Sequence, residues 1–428
     1  MMSRIALINI GMHGHVNPTL GLVSELTRRG HAVDFYSTPE FAKQIGQTGA
    51  NFVAYPSLFG QSAAEHAVGQ AEAAQLGVAP PAPLSTMTRV LTEFAATLPA
   101  LLRELTATKP DLIIYDFASM AAMVAAQHLN IKAVKFFTTY ASNEHYNLVR
   151  ESFGKYDFPT PAEIGQAQAV IDTVCAQCGC APVALVDAFA AIAPDNLVFM
   201  PRASQPHGDT FDERFHFVGP CVRGVDPQEA ASLLPAGNGP VMVISLGSLY
   251  HEWLQFYSDC IAAFGDTPWR VVMSIGAKLD PASLGAIPNN FTIRAHIPQV
   301  ALLEVADLFV SHGGMNSTME AMANGVPLIV IPQIEEQEIT AKRVADLNLG
   351  VYLQRGAFTS ELIAQAVRDV AGSPQIKANV LAMQQQLIVA GGSMGAADLI
   401  DARLGVAAVP GPRRALGQSM SKEGSTAI

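Results

Sequence analysis

The sequence predicts an α/β protein of two doubly wound domains, each built on a parallel sheet. The chain has 428 residues, which is too long for one ordinary core and fits two domains of about 200 residues each. Apolar runs of strand length alternate with amphipathic segments of helix length, the pattern of β-α-β units. The strand–turn–helix order then starts again in the second half, where VMVISLGS (241–248) repeats the arrangement of IALINIG (5–11).

The elements of the first half follow in order from these patterns. A strand at 4–10 leads through a turn to a helix at about 17–29, and a second strand follows at 32–37 after a glycine. DLIIYD (111–116) and KAVKFF (132–137) are later strands of the same sheet, with a helix at 118–129 between them.

The domain boundaries follow from a change in composition. Residues 200–240 are rich in Pro and Gly and have little periodicity, as a connector does. We therefore place the first domain at 1–218, a linker at 219–240 and the second domain at 241–405, and we expect its last helix to pack back on the first domain. Residues 406–428 are rich in Pro, Gly and Ser and predict a flexible tail.

Composition narrows the classes of partner. Half of the residues are hydrophobic, 15% are charged, and the formal net charge is −11. Basic residues do not cluster before PRR (412–414), which argues against nucleic acid or an anionic membrane as partner. We find neither an uncharged apolar run of about 18 residues nor a secretory leader, and predict a cytoplasmic protein.

The five cysteines form no obvious disulfide framework, which suits a reducing compartment. Three of them, Cys175, Cys178 and Cys180, form the motif CAQCGC. A structural zinc site needs a fourth ligand, and none stands nearby. Incidental thiols in a surface segment are the alternative that we favour.

An internal similarity relates the two halves. Asp111 and Asp307 each begin a segment of the same order: Asp-Leu, apolar strand, polar residue, small-residue turn, helix, apolar strand. The polar residue falls five positions after the leading aspartate and is Asp116 in one half and His312 in the other. Ligands of doubly wound sheets bind outside the carboxyl ends of the strands, so both side chains should face a ligand site.

The segment SHGGMNSTMEAM (311–322) predicts an anion site. It follows a strand and opens a helix, so unpaired N–H groups and the positive end of the helix dipole meet there. His312, Gly314, Asn316 and Ser317 could all contact phosphate. An ordinary glycine-rich turn, with Ser317 as its N-cap, is the structural alternative. The chain has no G-x-G-x-x-G after the first strand of either half, no G-x-x-x-x-G-K-[ST] and no D-x-D pair, so we expect neither a cofactor nor a metal.

Taken together, these motifs resemble the family-1 glycosyltransferases of the GT-B fold, most closely the bacterial macrolide-type enzymes that glycosylate polyketides and flavonoids. The resemblance covers nearly the whole chain. It rests on the order and spacing of GHVNPTLGLVSELTRRGH, DLIIYDF, VGP, SLGS, IPQ, DLFVSHGGMNSTMEA and GVPLIVIPQIEEQE. It implies two Rossmann-like domains that face each other across a cleft, with the acceptor in the N-terminal domain and a nucleotide sugar in the C-terminal one.

The resemblance also implies an inverting, metal-free sugar transfer to a hydroxyl group. His15 matches the general base of the family's G-H-x-x-P turn, and Asp116 matches its carboxylate partner. Histidine suits the role because its pKa lies near 7. By the residues alone, His13 competes with His15 for this role, and Asp116 could instead cap the helix at 118–129.

Matching the family's donor motifs assigns a set of residues to the nucleotide sugar, with UDP-glucose as the leading donor. His312, Gly314, Asn316, Ser317 and Ser248 fall on phosphate-contacting positions. Glu320 matches the carboxylate that holds the ribose, and Gln299 falls in the segment that cradles the base. Glu336 and Gln337 stand where plant relatives have the Asp-Gln pair that holds the sugar hydroxyls, so the carboxylate here is longer by one methylene group. His296 stands where many relatives have a base-stacking Trp.

The acceptor should be a large hydrophobic molecule such as a polyketide, macrolide or flavonoid. Its lining is assigned by placement at strand ends and in long loops to Met12, Phe59, Phe117 and Tyr140, although Met12 and Phe117 could also be plain core residues. Two functions of other kinds stay open at this point. One is a nucleotide-sugar epimerase of similar fold, and the other is a nucleotide-sugar-binding protein without catalysis.

Overall fold

Two separate units make up the part of the chain that the computed structural model describes, residues 2–58, 86–153, 160–185, 192–222, 224, 226–247 and 253–406. The first unit takes in the described residues up to Val222 together with those from Gly391 onward. The second takes in those between, through Ala390. Each unit contains a parallel sheet flanked by helices, which confirms the two predicted doubly wound domains.

The strands pair in parallel throughout both sheets. Within the described residues the order is β3-β2-β1-β4-β5-β6-β7 in the first sheet and β10-β9-β8-β11-β12-β13 in the second. The strands are β1 Arg4–Ile8, β2 Ala32–Ser37, β3 Asn51–Ala54, β4 Leu112–Asp116, β5 Ala133–Phe137, β6 Asn196–Val198, β7 Phe215–Phe217, β8 Val241–Ser245, β9 Arg270–Ser274, β10 Phe291–Arg294, β11 Leu308–Ser311, β12 Leu328–Val330 and β13 Gly350–Tyr352.

The helices connect these strands as crossovers. They are α1 His13–Arg28, α2 Ala42–Gly46, α3 Thr86–Thr108, α4 Met120–His128, α5 Leu148–Phe153, α6 Pro161–Gln177, α7 Pro227–Ala231, α8 Leu254–Phe264, α9 Gln299–Leu303, α10 Met315–Ala323, α11 Glu335–Asp346, α12 Ser360–Ala371, α13 Pro374–Ala390 and α14 Gly392–Leu404. None of these described helices combines the length and apolar character that crossing a membrane requires.

Strand β1 shows why the first sheet is buried on both faces. Ile5 and Leu7 join one apolar cluster, Ala6 and Ile8 join another, and all four are at most 1% exposed. Side chains of a strand alternate between its faces, so this run of apolar residues supplies two cores at once. Strand β7 was not predicted, because three residues within a Pro- and Gly-rich stretch are too few to show a period.

Helix α1 begins at His13 and not near residue 17 as predicted. Met12 is the extended N-cap residue, and its carbonyl accepts hydrogen bonds from the N–H groups of His15 and Val16, both at 2.9 Å. Pro18 lies inside the helix. Proline is favoured in the first turn of a helix, but Pro18 is the sixth residue of α1. The two histidines therefore belong to the first turn of α1 and not to a preceding loop.

The two similar segments, which begin at Asp111 and Asp307, make equivalent hydrogen bonds in the two units. The Asp111 N–H donates to the Arg4 carbonyl, and the Asp111 carboxylate accepts from the Arg4 N–H, both at 2.8 Å. Asp307 and Val241 exchange the same two hydrogen bonds, at 2.8 and 2.9 Å. In both units the leading aspartate thus fixes the register of the inner strand pair, β1 with β4 and β8 with β11.

The cysteines of CAQCGC do not lie in a surface segment, so that interpretation was wrong. Cys175 and Cys180 are buried in the apolar cluster between α3, α4 and α6, and Cys178 packs partly buried against it. Burial raises the pKa of Cys175 to about 11, with smaller contributions from the two neighbouring thiols. Over the described ranges, no three His, Cys, Asp or Glu side chains form a group that could hold a metal ion.

A buried ion network attaches α14 to the first unit. Asp401 accepts hydrogen bonds from Arg29 Nη1 at 2.6 Å and from His31 Nε2 at 2.7 Å, and these three side chains are at most 2% exposed. Arg29 also pairs with Asp398, whose side chain is 56% exposed. The network explains why the last described helix belongs to the first unit although it follows the second in sequence.

Replacing Asp401 with alanine should weaken the docking of α14 by about 1 to 3 kcal/mol, because the buried His31 loses its carboxylate and the buried Arg29 keeps Glu25 and Asp398 as carboxylate partners. Native-state hydrogen exchange over residues 392–404 measures this change. The control is Asp398→Ala, which removes an exposed partner of the same arginine and should cost less than about 1 kcal/mol. Equal protection of α14 in the two variants would contradict the assignment.

Candidate active site

The first functional cluster is a histidine–aspartate pair at the carboxyl edge of the first sheet. His15 Nδ1 and Asp116 Oδ2 are 2.7 Å apart. Asp116 is the last residue of β4 and its side chain is fully buried, whereas the His15 side chain is 17% exposed. Because the buried carboxylate accepts from Nδ1–H, it favours the imidazole tautomer whose Nε2 carries no proton.

Short-range contacts hold both members of the pair in place. Asn9 lies just after β1, and its side-chain amide donates to the His15 carbonyl at 2.9 Å. The other carboxylate oxygen of Asp116, Oδ1, accepts from the Ala118 N–H at 2.9 Å. The N-cap of α4 is Ser119, whose hydroxyl accepts from the Ala122 N–H. Asp116 is therefore not the helix cap, and the capping alternative was wrong.

Aromatic rings flank the imidazole on one side. Phe117 stacks on His15 with ring centroids 5.6 Å apart, and Phe137 stacks on Phe117 at 5.3 Å. Thr138 Oγ1 lies 3.5 Å from His15 Nδ1. The Phe117 ring therefore covers one face of the imidazole with apolar surface, and Phe137 packs behind it.

The competing histidine lies elsewhere. His13 is exposed, and its ring packs edge-on against Phe41 with centroids 4.9 Å apart. The structure thus pairs Asp116 with His15, two residues further along the first turn of α1.

The residues predicted to line an acceptor pocket differ in how far they are buried. Met12 and Phe117 are both partly exposed, so neither is a plain core residue. Tyr140 is 2% exposed, and its ring packs edge-on against Tyr146. Phe59 lies outside the described residues.

Two buried ionisable residues near the pair escaped the sequence analysis. Burial raises the pKa of Glu93 in α3 to about 7, and lowers the pKa of Lys135 in β5 to about 8. The negative charge of Asp116 adds to the rise in the pKa of Glu93 and opposes the fall in the pKa of Lys135. The available signal was a single charged residue in each of two otherwise uncharged segments, VLTEFAATL and AVKFF.

The second cluster is the turn after β11. Gly247 (φ +81°) and Gly314 approach the imidazole of His312 so closely that a Cβ atom on either would overlap Nε2. Only glycine leaves room for the ring at these two positions. Burial lowers the pKa of His312 to about 4, against a smaller opposing effect of the Ser245 backbone, so the ring is neutral at pH 7.

Helix α10 opens directly after this turn, with Gly314 as its N-cap residue and without a side-chain cap. Ser317 is the third residue of the helix and is not its cap, so that alternative was wrong. The backbone N–H groups at the N-terminus of α10, including those of Asn316 and Ser317, are of the kind that binds a diphosphate.

A hydrogen-bonded trio lies one turn further on. The Gln299 side-chain amide donates to Glu320 Oε2 at 2.7 Å and to Ser317 Oγ at 3.0 Å. Burial raises the pKa of Glu320 to about 7, although the bond from Gln299 opposes the shift. The structure thus brings together three of the residues predicted to contact the donor.

The last predicted donor residues lie at the start of α11. A Cβ on Gly313 would fall 3.3 Å from the Gln337 carbonyl oxygen, so α11 begins beside the glycine turn. The Gln337 side-chain oxygen accepts from the Gln333 N–H at 2.8 Å, and Glu336 is partly exposed. His296 is exposed after β10, and Ser248 lies outside the described residues.

Comparison with known proteins places the chain among glycosyltransferases. Residues 259–391 match the family model described as Erythromycin biosynthesis protein CIII-like, C-terminal domain. The chain is 40% identical over 406 residues to the NDP-glycosyltransferase YjiC of Bacillus subtilis (strain 168), which covers 95% of this chain and 98% of that protein. It is 33% identical over 407 residues to the oleandomycin glycosyltransferase of Streptomyces antibioticus, covering 94% and 91%.

The fold comparison agrees. The crystal structure of CalG4, the calicheamicin glycosyltransferase, superposes with a TM-score of 0.80 at 34% identity and covers 95% of this chain and 99% of that one. Relatives of more than 30% identity thus extend over nearly the whole chain. The chain belongs to the macrolide-type family-1 glycosyltransferases and is an enzyme of the GT-B fold.

Proposed function

We propose that the enzyme transfers glucose from UDP-glucose to a hydroxyl group of a hydrophobic natural product, with inversion at the anomeric carbon and without a metal ion or cofactor. The observation that carries this proposal is the 2.7 Å contact between His15 Nδ1 and Asp116 Oδ2 at the carboxyl edge of the first sheet. Two further observations support it, the glycine turn around His312 and the trio of Gln299, Ser317 and Glu320.

His15 acts as the general base in this proposal. An alcohol is a poor nucleophile at neutral pH, so its proton must leave as the new bond forms. The acceptor O–H gives its proton to His15 Nε2 while the oxygen attacks the anomeric carbon. The bond from that carbon to the diphosphate oxygen breaks, and its electron pair leaves with UDP. A single displacement from the opposite face inverts the configuration. Asp116 orients the ring and stabilises the imidazolium that forms.

The leaving diphosphate is stabilised by neutral donors. Helix α10 points its N-terminus at the turn after β11, and helix N-termini carry about half a positive charge. His312 is neutral and can donate one hydrogen bond, as can Asn316 and Ser317. Glu320 would accept from the ribose hydroxyls, and Gln299 would orient that carboxylate. Fixed dipoles at the position where negative charge develops lower the barrier directly.

The acceptor is proposed from the surroundings of the base and from the relatives. Phe117 and Met12 provide partly exposed apolar surface beside His15. The relatives are named as glycosyltransferases of oleandomycin and calicheamicin. We therefore propose a macrolide, polyketide or flavonoid as acceptor. We also propose the cytoplasm as the location, since all five cysteines are free thiols.

The direct test incubates the enzyme with UDP-glucose or TDP-glucose and a panel of macrolides and hydroxylated aromatics. Released nucleotide and product mass are then followed. Nucleoside diphosphate that appears only with acceptor, together with a product heavier by one hexosyl residue (a hexose less one water) and of inverted anomeric configuration, supports the proposal. An isomerised sugar without acceptor would instead indicate an epimerase, and nucleotide binding without turnover would indicate a non-catalytic protein.

His15→Ala should lower kcat by about 10² to 10⁴, the usual contribution of a general base. The dissociation constant for UDP should stay within about twofold, because donor-contacting residues are untouched. The control is His13→Ala, which alters the neighbouring exposed histidine and should retain most activity. Wild-type turnover in the His15 variant, or equal loss in both variants, would rule out the assignment of the base.

Affinity for UDP-glucose should increase about tenfold between pH 6 and pH 8. Glu320 must be ionised to accept two ribose hydroxyls, and with a pKa of about 7 it is mostly protonated at pH 6. Isothermal titration at several pH values measures the slope, and UDP-glucose itself does not titrate in this range. Glu320→Gln should bind with no slope. A slope of the opposite sign would point to protonation of His312 and would contradict the role of Glu320.

A further inference from the structure

Glu93 is a buried carboxyl residue that the proposed chemistry does not use. It lies in α3 and is 3% exposed. Its Oε2 accepts from the Leu58 N–H at 2.5 Å, and the Ser57 hydroxyl donates to the same carboxyl group. Its Oε1 is buried and has no hydrogen-bond partner within the described residues.

The hydrogen bonds of Glu93 continue toward the base. The Gly11 N–H donates to Ser57 Oγ at 3.2 Å. Gly11 directly precedes Met12, the N-cap residue of α1, and His15 lies in the first turn of that helix. A chain of hydrogen bonds therefore leads from the Glu93 carboxyl through Ser57 to the backbone that carries the base.

We propose that Glu93 is a positioning residue for sugar transfer: through Ser57 it fixes the backbone at Gly11, and thereby the orientation in which His15 meets the acceptor hydroxyl. The inference rests on the proposed role of His15 as base. Glu93 also accepts a hydrogen bond from the Leu58 N–H, so the same carboxyl group holds the backbone at Ser57 and Leu58.

A contribution to fold stability does not explain Glu93. A buried carboxyl group with one oxygen that makes no hydrogen bond costs free energy, because its desolvation is not compensated. Burial accordingly raises its pKa to about 7. Positioning does explain it, since a displacement of about 1 Å at a reacting group can cost about 10² in rate.

Three variants separate positioning from packing. Glu93→Gln can accept the same two hydrogen bonds through its amide oxygen. Glu93→Met keeps a similar length but accepts neither. Thr97→Val is the matched control, because Thr97 is fully buried one turn further along α3 and its hydroxyl donates to the Glu93 backbone carbonyl at 2.7 Å, away from the Glu93 carboxyl group.

Steady-state kinetics and hydrogen exchange of residues 9–16 are the readouts. We expect Glu93→Met to lower kcat by about tenfold to a hundredfold, with an unchanged KM for the sugar donor. Its exchange at the Gly11 amide should be faster. Glu93→Gln should restore kcat to within about threefold, and Thr97→Val should resemble the wild type in both readouts.

Several results would overturn the inference. They are a folded Glu93→Met with the kcat and Gly11 exchange of the wild type, a Glu93→Gln as impaired as Glu93→Met, or a loss that appears in the donor KM. If Glu93→Met does not fold, Ser57→Ala interrupts the same chain at its middle atom, and wild-type kcat in that variant would equally overturn the inference. Absence of transfer by the wild type would refute the proposed function instead, and the exchange experiment would still test the Glu93 contacts.

Discussion

The hydrogen bond between His15 Nδ1 and Asp116 Oδ2 is the contact on which the candidate site depends. It joins residues 101 positions apart in the chain, and it can form only because β1 and β4 are adjacent parallel strands whose carboxyl ends meet at one edge. A shift of one residue in that pairing would turn Asp116 to the other face of the sheet. The exchange of hydrogen bonds between Asp111 and Arg4 fixes that register at the opposite end of the strands.

In the second unit, too, an aspartate fixes the register of two strands, but the residues at the strand ends have different chemistry. Asp307 and Val241 fix the pairing of β11 with β8, and the strand then delivers His312 to its carboxyl edge, as β4 delivers Asp116. One edge therefore presents a buried carboxylate with an imidazole, and the other presents a neutral imidazole with a helix N-terminus. Burial raises the pKa of Glu320 to about 7, because its ionised carboxylate loses contact with water; holding this group at the edge of the sheet therefore costs free energy. The apolar strands beneath it offset that cost.

Much of the fold could be predicted from the sequence, because strands and helices each show a characteristic spacing of apolar residues within a short segment. The strands β1, β2, β4 and β5 and the equivalence of Asp111 with Asp307 all followed from such patterns. The start of α1 did not, because its first turn, His13 to Val16, contains glycine and two histidines and shows no apolar period. Glu93 was missed because its partners, Leu58 and Ser57, lie more than thirty residues away in the sequence. The spacing of apolar residues within one strand or helix does not indicate such a distant contact. The roles assigned to the site residues came from family resemblance and remain proposals.

The tautomer of His15 tests the central claim most directly. Nitrogen-15 NMR of the histidine-labelled enzyme at pH 8, with His15 assigned by comparison with His15→Ala, reports which ring nitrogen carries the proton. We predict that Nδ1 is protonated and Nε2 is not, and that the ring becomes a mixture of tautomers in Asp116→Asn. A proton on Nε2 in the wild-type enzyme would contradict this prediction, since that atom could then not accept the proton of an acceptor hydroxyl.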